Sequence, residues 1–220
     1  SDVDYSENFF SDEGYYVNYN NSKQLELSQM ELVHAHPVCG RTCIHTPVHS
    51  TVSVSEWTPV SSGDALCAID TAGNYYLTDD VTIFTAWEPV DGVVLCLNGK
   101  TITMNNCDSA VLMPVIKVTN HFTLTDCKTG NAQGRIMHVA EEDPAKGKGV
   151  GVEVFGGTFD MYGGNITGNK ADFIYGGSGV AVRDENAFST GKDGTFNMYG
   201  GEISGNQARF GGGVSVMWGA

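Results

Sequence analysis

The sequence predicts an all-β protein, a parallel β-helix in which each turn of the chain contributes three short strands. Three observations predict this class: a repeated segment, an alternation of apolar residues and an excess of glycine. The segment 157–169 returns at 194–206, with an offset of 37 residues and ten of thirteen positions identical. Repeats of about 20 to 50 residues indicate supersecondary units that stack on one another.

Within each repeat the apolar residues alternate with polar ones. Val152 and Val154 are spaced two apart, as are Phe159 and Met161, and this is the period of a strand and not of a helix. A second unit, a glycine followed by Val-x-Val, recurs three times, at 151–154, 179–182 and 213–216. Each run is too short to bury its apolar side alone, so we expect equivalent residues of successive turns to stack.

Glycine accounts for 28 of the 220 residues, well above the usual share of about 7%. Residues 163–164 and 200–201, both Gly-Gly, follow equivalent strands, at corners where glycine permits a positive φ. Asn169 and Asn206 occupy equivalent places one corner later. We therefore expect glycine corners and an asparagine ladder, in which each amide bonds to the neighbouring turn.

Composition divides the chain into three zones. Residues 1–33 form an acidic, aromatic N-terminal arm, which we expect to be partly ordered, and residues 34–60 form a His/Cys-containing cap segment. Residues 61–220 form the parallel β-helix, which we expect to be truncated at its C-terminal end, with more turns after Ala220. The different offsets of the repeats predict an insertion at 183–193, a loop that projects from one corner.

Charge and hydropathy exclude two classes of partner. Lys and Arg number 12 against 26 Asp and Glu, so the net charge is −14, which disfavours binding to the phosphates of nucleic acids. No stretch of about 18 apolar residues predicts a membrane span. The six cysteines permit about 15 pairings, so the sequence leaves their connectivity open. It also leaves open whether Cys96 is a buried thiol or half of a disulfide.

A His/Cys cluster in the cap segment suggests a metal site. Zinc in structural sites takes four thiolate or imidazole ligands at short spacings. The candidate ligands are the two cysteines and two of the four histidines in this set: Cys39, Cys43, His34, His36, His45 and His49. Two other interpretations remain open: a Cys39–Cys43 disulfide with exposed histidines, or a polar loop that holds no metal.

Tyrosines and charged loop residues are the candidates for ligand binding. If Phe159 and Met161 point inward, Tyr162 points outward, and Tyr199 lies one strand spacing of about 5 Å above it. Such a stack can bind sugars or protein, or it can simply pack on itself and on the glycine corner. The other candidates lie in the arm and in the predicted insertion: Tyr15, Tyr16, Tyr19, Arg183, Asp184 and Glu185.

Carboxylates were considered as catalytic groups, because many parallel β-helices are carbohydrate-active enzymes that need two of them about 5 to 9 Å apart. The outward candidates are Asp126, Asp160, Asp184 and Glu185. Asp160 is replaced by Asn197 in the next repeat, and no acid–base cluster recurs on adjacent strands. We therefore expect a solvated face and no catalytic site. The three tryptophans, at 57, 87 and 218, are expected in the core or the cap.

The repeat Gly-Thr-Phe-x-Met-Tyr-Gly-Gly-x-Ile-x-Gly-Asn, with its Gly-Gly-Gly-Val-x-Val partner, resembles the right-handed parallel β-helix repeats of large surface proteins of gut Firmicutes. The resemblance covers roughly residues 34–220 and places the fold in the pectate-lyase-like β-helix superfamily. In that group the repeats belong to long, adhesin-like chains anchored to the cell wall. The resemblance implies a secreted or cell-surface protein that is anchored through a part outside this sequence. It also implies that this chain is a monomeric fragment of that larger protein.

The function expected from these features is non-enzymatic binding of a host ligand at the bacterial surface. The ligand would be a glycoprotein, such as secreted immunoglobulin, or a glycan, and we expect no nucleic-acid partner and no direct insertion into a membrane. Two alternatives remain: a polysaccharide lyase or glycoside hydrolase of the parallel β-helix type, and a structural stalk that has no ligand.

Overall fold

The computed structural model describes residues 57–106, 113–140, 148–171, 177–184 and 192–217, and the backbone of 9–10, 15–17 and 32–34. Within these ranges, helix is confined to a five-residue α-helix, α1 (Gly63–Cys67), and a single 3-10 turn at Gly130–Ala132. Neither has the length or the apolar character needed to cross a membrane. All other regular structure in these ranges is strand, so the predicted all-β class is confirmed.

Three N-terminal strands form an antiparallel sheet. They are β1 (Phe9–Phe10), β2 (Tyr15–Val17) and β3 (Leu32–His34), with β2 in the centre. Tyr15 lies opposite His34 and Tyr16 lies opposite Val33. The boundary predicted between the arm and the cap segment therefore falls inside β3, and the first residue of the cap segment shares a sheet with the arm.

The remaining strands have two to five residues each. In chain order they are β4 (Trp57–Val60), β5 (Gly73–Leu77), β6 (Val81–Ile83), β7 (Val93–Cys96), β8 (Thr101–Met104), β9 (Ile116–Val118), β10 (His121–Thr125), β11 (Arg135–His138), β12 (Val152–Phe155), β13 (Thr158–Met161), β14 (Asn165–Thr167), β15 (Lys170–Ala171), β16 (Val180–Arg183), β17 (Thr195–Met198), β18 (Glu202–Ser204), β19 (Gln207–Ala208) and β20 (Val214–Met217).

These strands form four parallel sheets. The six-stranded sheet has the order β17-β13-β10-β7-β5-β4, and the five-stranded sheet has the order β18-β14-β11-β8-β6. The four-stranded sheet has the order β20-β16-β12-β9, and β15 pairs with β19. Because β4 belongs to the six-stranded sheet, that sheet includes the last four residues of the segment 34–60.

From β7 onward the chain visits the six-, five- and four-stranded sheets in turn and repeats that order, with β15 and β19 inserted between the five- and four-stranded sheets in the last two rounds. The predicted repeats are neighbours in these sheets. Phe159 of β13 pairs with Phe196 of β17, and Val180 of β16 lies between Val152 and Val214. The expected stacking of equivalent residues is therefore confirmed. The identical apolar pattern of each repeat places identical side chains on the same side of each sheet.

The apolar core lies where the inward sides of these sheets meet. One continuous cluster of buried side chains draws residues from the six-, five- and four-stranded sheets. The rings of Phe122, Phe159 and Phe196 stack through this core, with centroids 5.7 and 5.2 Å apart. Trp57 and Trp87 are buried, as predicted, while position 218 lies outside the described residues.

The predicted corners are also present. Gly164 and Gly201 have φ values of 85° and 86°, in the left-handed region that favours glycine. The Asn169 amide Nδ2 donates to Asn206 Oδ1 at 2.9 Å, which is the expected asparagine ladder. At Gly163 a Cβ atom would lie 2.6 Å from the backbone nitrogen of Asp126, so this corner has no room for a side chain.

Candidate ligand-binding face

The side chains that point away from the core on β10, β13 and β17 form the candidate site, which we call the outer face. Parallel register aligns them in three rows: His121 with Thr158 and Thr195, Thr123 with Asp160 and Asn197, and Thr125 with Tyr162 and Tyr199. The backbone ladder extends past the strand ends, because the Tyr162 N–H donates to Leu124 O at 2.8 Å. At about 3.3 Å per residue, the first and third rows lie about 13 Å apart.

Tyr162 and Tyr199 form the third row. Their rings stack with centroids 4.6 Å apart and an interplanar angle of 17°, so the outward direction and the spacing predicted for them are confirmed. Tyr162 is half-buried, whereas Tyr199 is 40% exposed. Because each ring covers one side of its neighbour, Tyr199 offers the larger exposed surface of the two.

A hydrogen-bonded histidine and carboxylate lie in the first and second rows. His121 Nε2 is 2.8 Å from Asp160 Oδ2, and Asn197 Nδ2 donates to Asp160 Oδ1 at 2.8 Å. The His121 backbone N–H donates to Asp91 Oδ1 at 3.0 Å. Each Asp160 oxygen therefore contacts a neighbouring side chain. The Asp160 side chain is only 15% exposed, whereas that of His121 is 52% exposed.

The sequence prediction missed His121 and interpreted Asp160 as a tolerant outer position. The Asp-to-Asn change at 160 and 197 was the signal that could have identified this pair. Two carboxylates at adjacent places in a parallel ladder repel each other, whereas a carboxylate beside an amide forms a hydrogen bond. The difference between the repeats is therefore what makes the contact possible.

A polar pocket adjoins this group. It has a volume of about 450 Å³ and its lining includes Asp91, Asn120, His121, Thr158, Lys192 and Asp193. This volume is within the range of about 300 to 1,000 Å³ for small-ligand sites. The lining offers both hydrogen-bond donors and acceptors, which suits a ligand that carries many hydroxyl groups.

On the side of β7, the outer face ends at a cluster of buried side chains. Cys96, which ends β7, and Cys127, which follows β10, pack with Trp57 and are 0% and 2% exposed. Burial raises the pKa of the Cys96 thiol well above its usual value, and the neighbouring Cys127 raises it further. The two sulfurs and an Asp126 oxygen lie within 4.8 Å of one another, so this group could hold a metal ion.

Asp126 does not occupy the solvated position that the sequence predicted for it. It is 2% exposed, because its carboxylate points into the turn and accepts three backbone hydrogen bonds there. Oδ1 accepts from the N–H groups of Gly99 at 3.0 Å and Lys128 at 2.9 Å, and Oδ2 accepts from the N–H of Gly134 at 2.6 Å. Burial raises the pKa of this carboxyl, and the three N–H groups oppose that rise. The alternation of inward and outward residues does not extend into a turn, which explains the error.

Arg183 is also placed differently from the prediction. It is the last residue of β16, not part of a projecting loop, and its guanidinium lies 3.2 Å from Glu153 of the neighbouring strand. Asp184 follows it and is half-buried. The Arg183 charge is thus paired within the four-stranded sheet, away from the outer face.

The other predicted site residues lie outside the part of the chain described with side chains. The structure gives the backbone of three of them, Tyr15, Tyr16 and His34. The rest lie outside the described residues: Tyr19, His36, Cys39, Cys43, His45, His49 and Glu185. The zinc site in the segment 34–60 and the arm tyrosines as ligand contacts therefore stay predictions.

No protein-family model, curated protein or solved structure matches this chain. The interpretation of the outer face accordingly depends on its own geometry and chemistry.

Proposed function

We propose that this chain is a right-handed parallel β-helix domain of an exported bacterial surface protein, and that it binds a host glycan or glycoprotein without catalysing a reaction. The order in which the strands visit three parallel sheets supports the architecture. The resemblance of the repeats to adhesin-like chains supports the location. Secreted immunoglobulin, which is both a protein and glycosylated, is one ligand of this class.

The outer face carries the binding proposal. It combines the Tyr162–Tyr199 stack with a carboxylate held between His121 and Asn197. Tyrosine suits recognition because its ring supplies apolar contact while its hydroxyl forms hydrogen bonds. A pre-ordered polar group loses little entropy when a ligand binds. The two features lie on neighbouring rows of one rigid sheet, so a single extended ligand can contact both.

The net charge favours a neutral or basic ligand. At −14 the chain repels phosphate backbones and anionic lipid surfaces. Sugar hydroxyls carry no charge and accept and donate hydrogen bonds equally well. The pocket lining, with its carboxylates, amide and lysine, suits such groups.

The enzyme alternative predicts a different behaviour of Asp160. A glycoside hydrolase needs one carboxyl group that gives a proton and a second that acts as base or nucleophile. Both oxygens of Asp160 already contact neighbouring side chains, those of His121 and Asn197, and this arrangement favours a group that is held in place to orient a ligand. In the stalk alternative, the outer face has no ligand and its tyrosines only pack.

The proposal is tested by measuring the binding of residues 1–220 to desialylated mucin, deglycosylated mucin and secretory immunoglobulin. We expect Tyr199→Ala and Asn197→Ala to weaken binding about tenfold, a loss of about 1.4 kcal/mol, which places them among the minority of interface residues that cost more than about 1 kcal/mol when truncated. Phe84→Ala is the matched control, because Phe84 is 66% exposed and lies outside the outer face.

The outcomes separate the three functions. No binding at all would favour a stalk, whereas equal affinity of the wild type and Tyr199→Ala would refute binding by the outer face and indicate a binding site elsewhere in the chain. Release of oligosaccharides that stops in Asp160→Asn would establish the enzyme alternative. Binding that is lost on deglycosylation indicates a glycan as the ligand, and binding that survives it indicates the protein.

We also propose that the segment 34–60 holds a zinc ion through Cys39 and Cys43 with two of its histidines. The test is the zinc content of the purified chain and of the double variant Cys39→Ser/Cys43→Ser. Equal zinc content in the two proteins would contradict this site, and a mass lower by two hydrogens in the untreated chain, with no such loss in the double variant, would favour the Cys39–Cys43 disulfide.

A further inference from the structure

A second group of potential metal ligands lies under Trp57, apart from the segment 34–60. Cys96 is the last residue of β7, Cys127 lies two residues after the end of the neighbouring strand β10, and Asp126 precedes Cys127 in the chain. All three are at most 2% exposed. The two sulfurs and a carboxylate oxygen lie within 4.8 Å of one another. In a tetrahedral zinc site with Zn–S bonds of about 2.3 Å, the ligand atoms lie about 3.8 Å apart, so a shift of about 1 Å closes the site.

The two thiols take part in hydrogen bonds with Asn98, and a bound cation would replace the thiol protons in this group. The Cys127 thiol donates to Asn98 Oδ1 at 3.1 Å, and the Asn98 N–H donates to Cys96 Sγ at 3.2 Å. When Cys127 loses its proton, Asn98 Oδ1 loses its donor and can face a cation. Asn98 is held in place, because its Nδ2 donates to Leu77 O at 3.0 Å.

The Asp126 carboxylate has capacity left for a fourth contact. A carboxylate offers about four lone-pair positions, and three N–H groups occupy two positions on Oδ1 and one on Oδ2. The position left over is on Oδ2, so the carboxylate can accept one further contact while the turn keeps its three N–H bonds.

A neighbouring hydroxyl provides an independent observation. Thr125 is the register partner of Cys96, is 0% exposed, and its Oγ1 has no hydrogen-bond partner among the described residues. A buried polar atom that lacks a partner costs about 1 to 3 kcal/mol. A buried hydroxyl beside Cys96 in the strand ladder therefore lacks compensation from the described residues.

We infer that Cys96, Cys127 and Asp126, with Asn98 Oδ1, which lies 3.1 Å from Cys127 Sγ, as the fourth ligand, form a closed structural site for a thiophilic divalent cation of the zinc class. On binding, both thiols release their protons to solvent and two metal–sulfur bonds form, with no change of oxidation state. The ion would link the ends of β7 and β10, and its binding free energy would add to the stability of the fold.

The test uses residues 1–220 in the double-variant background Cys39→Ser/Cys43→Ser, which removes the other proposed zinc site. Cobalt(II) is the probe, because thiolate–cobalt bonds absorb in the near ultraviolet. We expect one equivalent to bind with release of two protons per ion. Cys96→Ser and Cys127→Ser should abolish the absorption, and Asp126→Asn should weaken binding at least about tenfold. Cys67→Ser, which removes an exposed cysteine, should leave it unchanged.

Three results overturn the inference: absence of cobalt binding, full absorption in both Cys96→Ser and Cys127→Ser, or a Cys96–Cys127 disulfide in the protein as isolated. If the serine variants fail to fold, alkylation of the background chain in mild urea provides the second measurement. Zinc should slow the alkylation of Cys96 and Cys127 at least about tenfold and leave Cys67 unaffected, because an ion that binds only the folded state lowers the population of open states. Equal rates with and without zinc overturn the inference as well.

Discussion

Replacing Asn169 by alanine tests the asparagine ladder, the contact that links the corners of the two repeats. Asn169 is 0% exposed. Its Nδ2 lies within 3.2, 3.0 and 2.9 Å of Ile136 O, Thr167 O and Asn206 Oδ1, and its Oδ1 lies 2.8 Å from His138 Nδ1. The amide has two N–H groups and one acceptor in use, so alanine removes about three net hydrogen bonds.

At about 1 kcal/mol for each hydrogen bond, Asn169→Ala should lower the free energy of unfolding by about 3 kcal/mol. That is a large fraction of the stability of an ordinary domain, about 5 to 15 kcal/mol. Urea unfolding followed by circular dichroism measures this value, and an unchanged dependence on urea shows that the same surface unfolds.

Asn165→Ala is the matched control. Asn165 is half-buried, and its amide contacts one exchangeable hydroxyl, that of Ser204, which lies 3.3 Å from Nδ2 and 3.4 Å from Oδ1. Its loss should cost less than about 0.5 kcal/mol, as is usual for a surface substitution. If Asn169→Ala and Asn165→Ala have the same stability within about 0.5 kcal/mol, the ladder contributes nothing and the reasoning is refuted.

Two further predictions concern the core. Phe159 is 0% exposed between two phenylalanine rings, so Phe159→Ala should lower the free energy of unfolding by about 3 to 5 kcal/mol. Phe196 lies at the partly buried end of the stack, so Phe196→Ala should lower it clearly less. Equal losses of stability in thermal unfolding would contradict the stack. Burial lowers the pKa of His138, although its hydrogen bonds with Asn169 and Met113 act in the opposite direction. The contribution of His138 to stability is therefore present above the pKa of the unfolded state, about 6.5, and is lost as the pH falls below that value. The difference in unfolding free energy between the wild type and His138→Gln should shrink from pH 7.5 to pH 5.5, and a difference that is constant over this range would show that His138 does not titrate as described.

Much of the fold was predictable because the repeat is local and regular. A period of two with glycine at fixed offsets determines which side chains point inward, and so Phe159, Met161 and Ile166 were correctly assigned to the core. Equal spacing in the two repeats also aligned Tyr162 with Tyr199. These features depend on residues within a few positions of one another, and no knowledge of distant contacts was needed.

The site was only partly predictable, because its groups come from different turns of the chain. His121 and Asp160 are 39 residues apart and meet through strand pairing. Asp126 lies in a turn, where alternation no longer indicates direction, and its burial follows from three backbone N–H groups that only the folded turn supplies. Arg183 was assigned to an insertion because the sequence does not mark where a strand ends.

The sequence by itself determined the all-β class, the stacking of the repeats and the outward direction of the tyrosines. The physical reason is that a short amphipathic strand can bury its apolar side only against copies of itself. Only the tertiary structure determined which polar groups come together: the His121–Asp160–Asn197 group and the thiols of Cys96 and Cys127. Those contacts depend on register between strands about 30 to 40 residues apart, which nothing in the local sequence specifies.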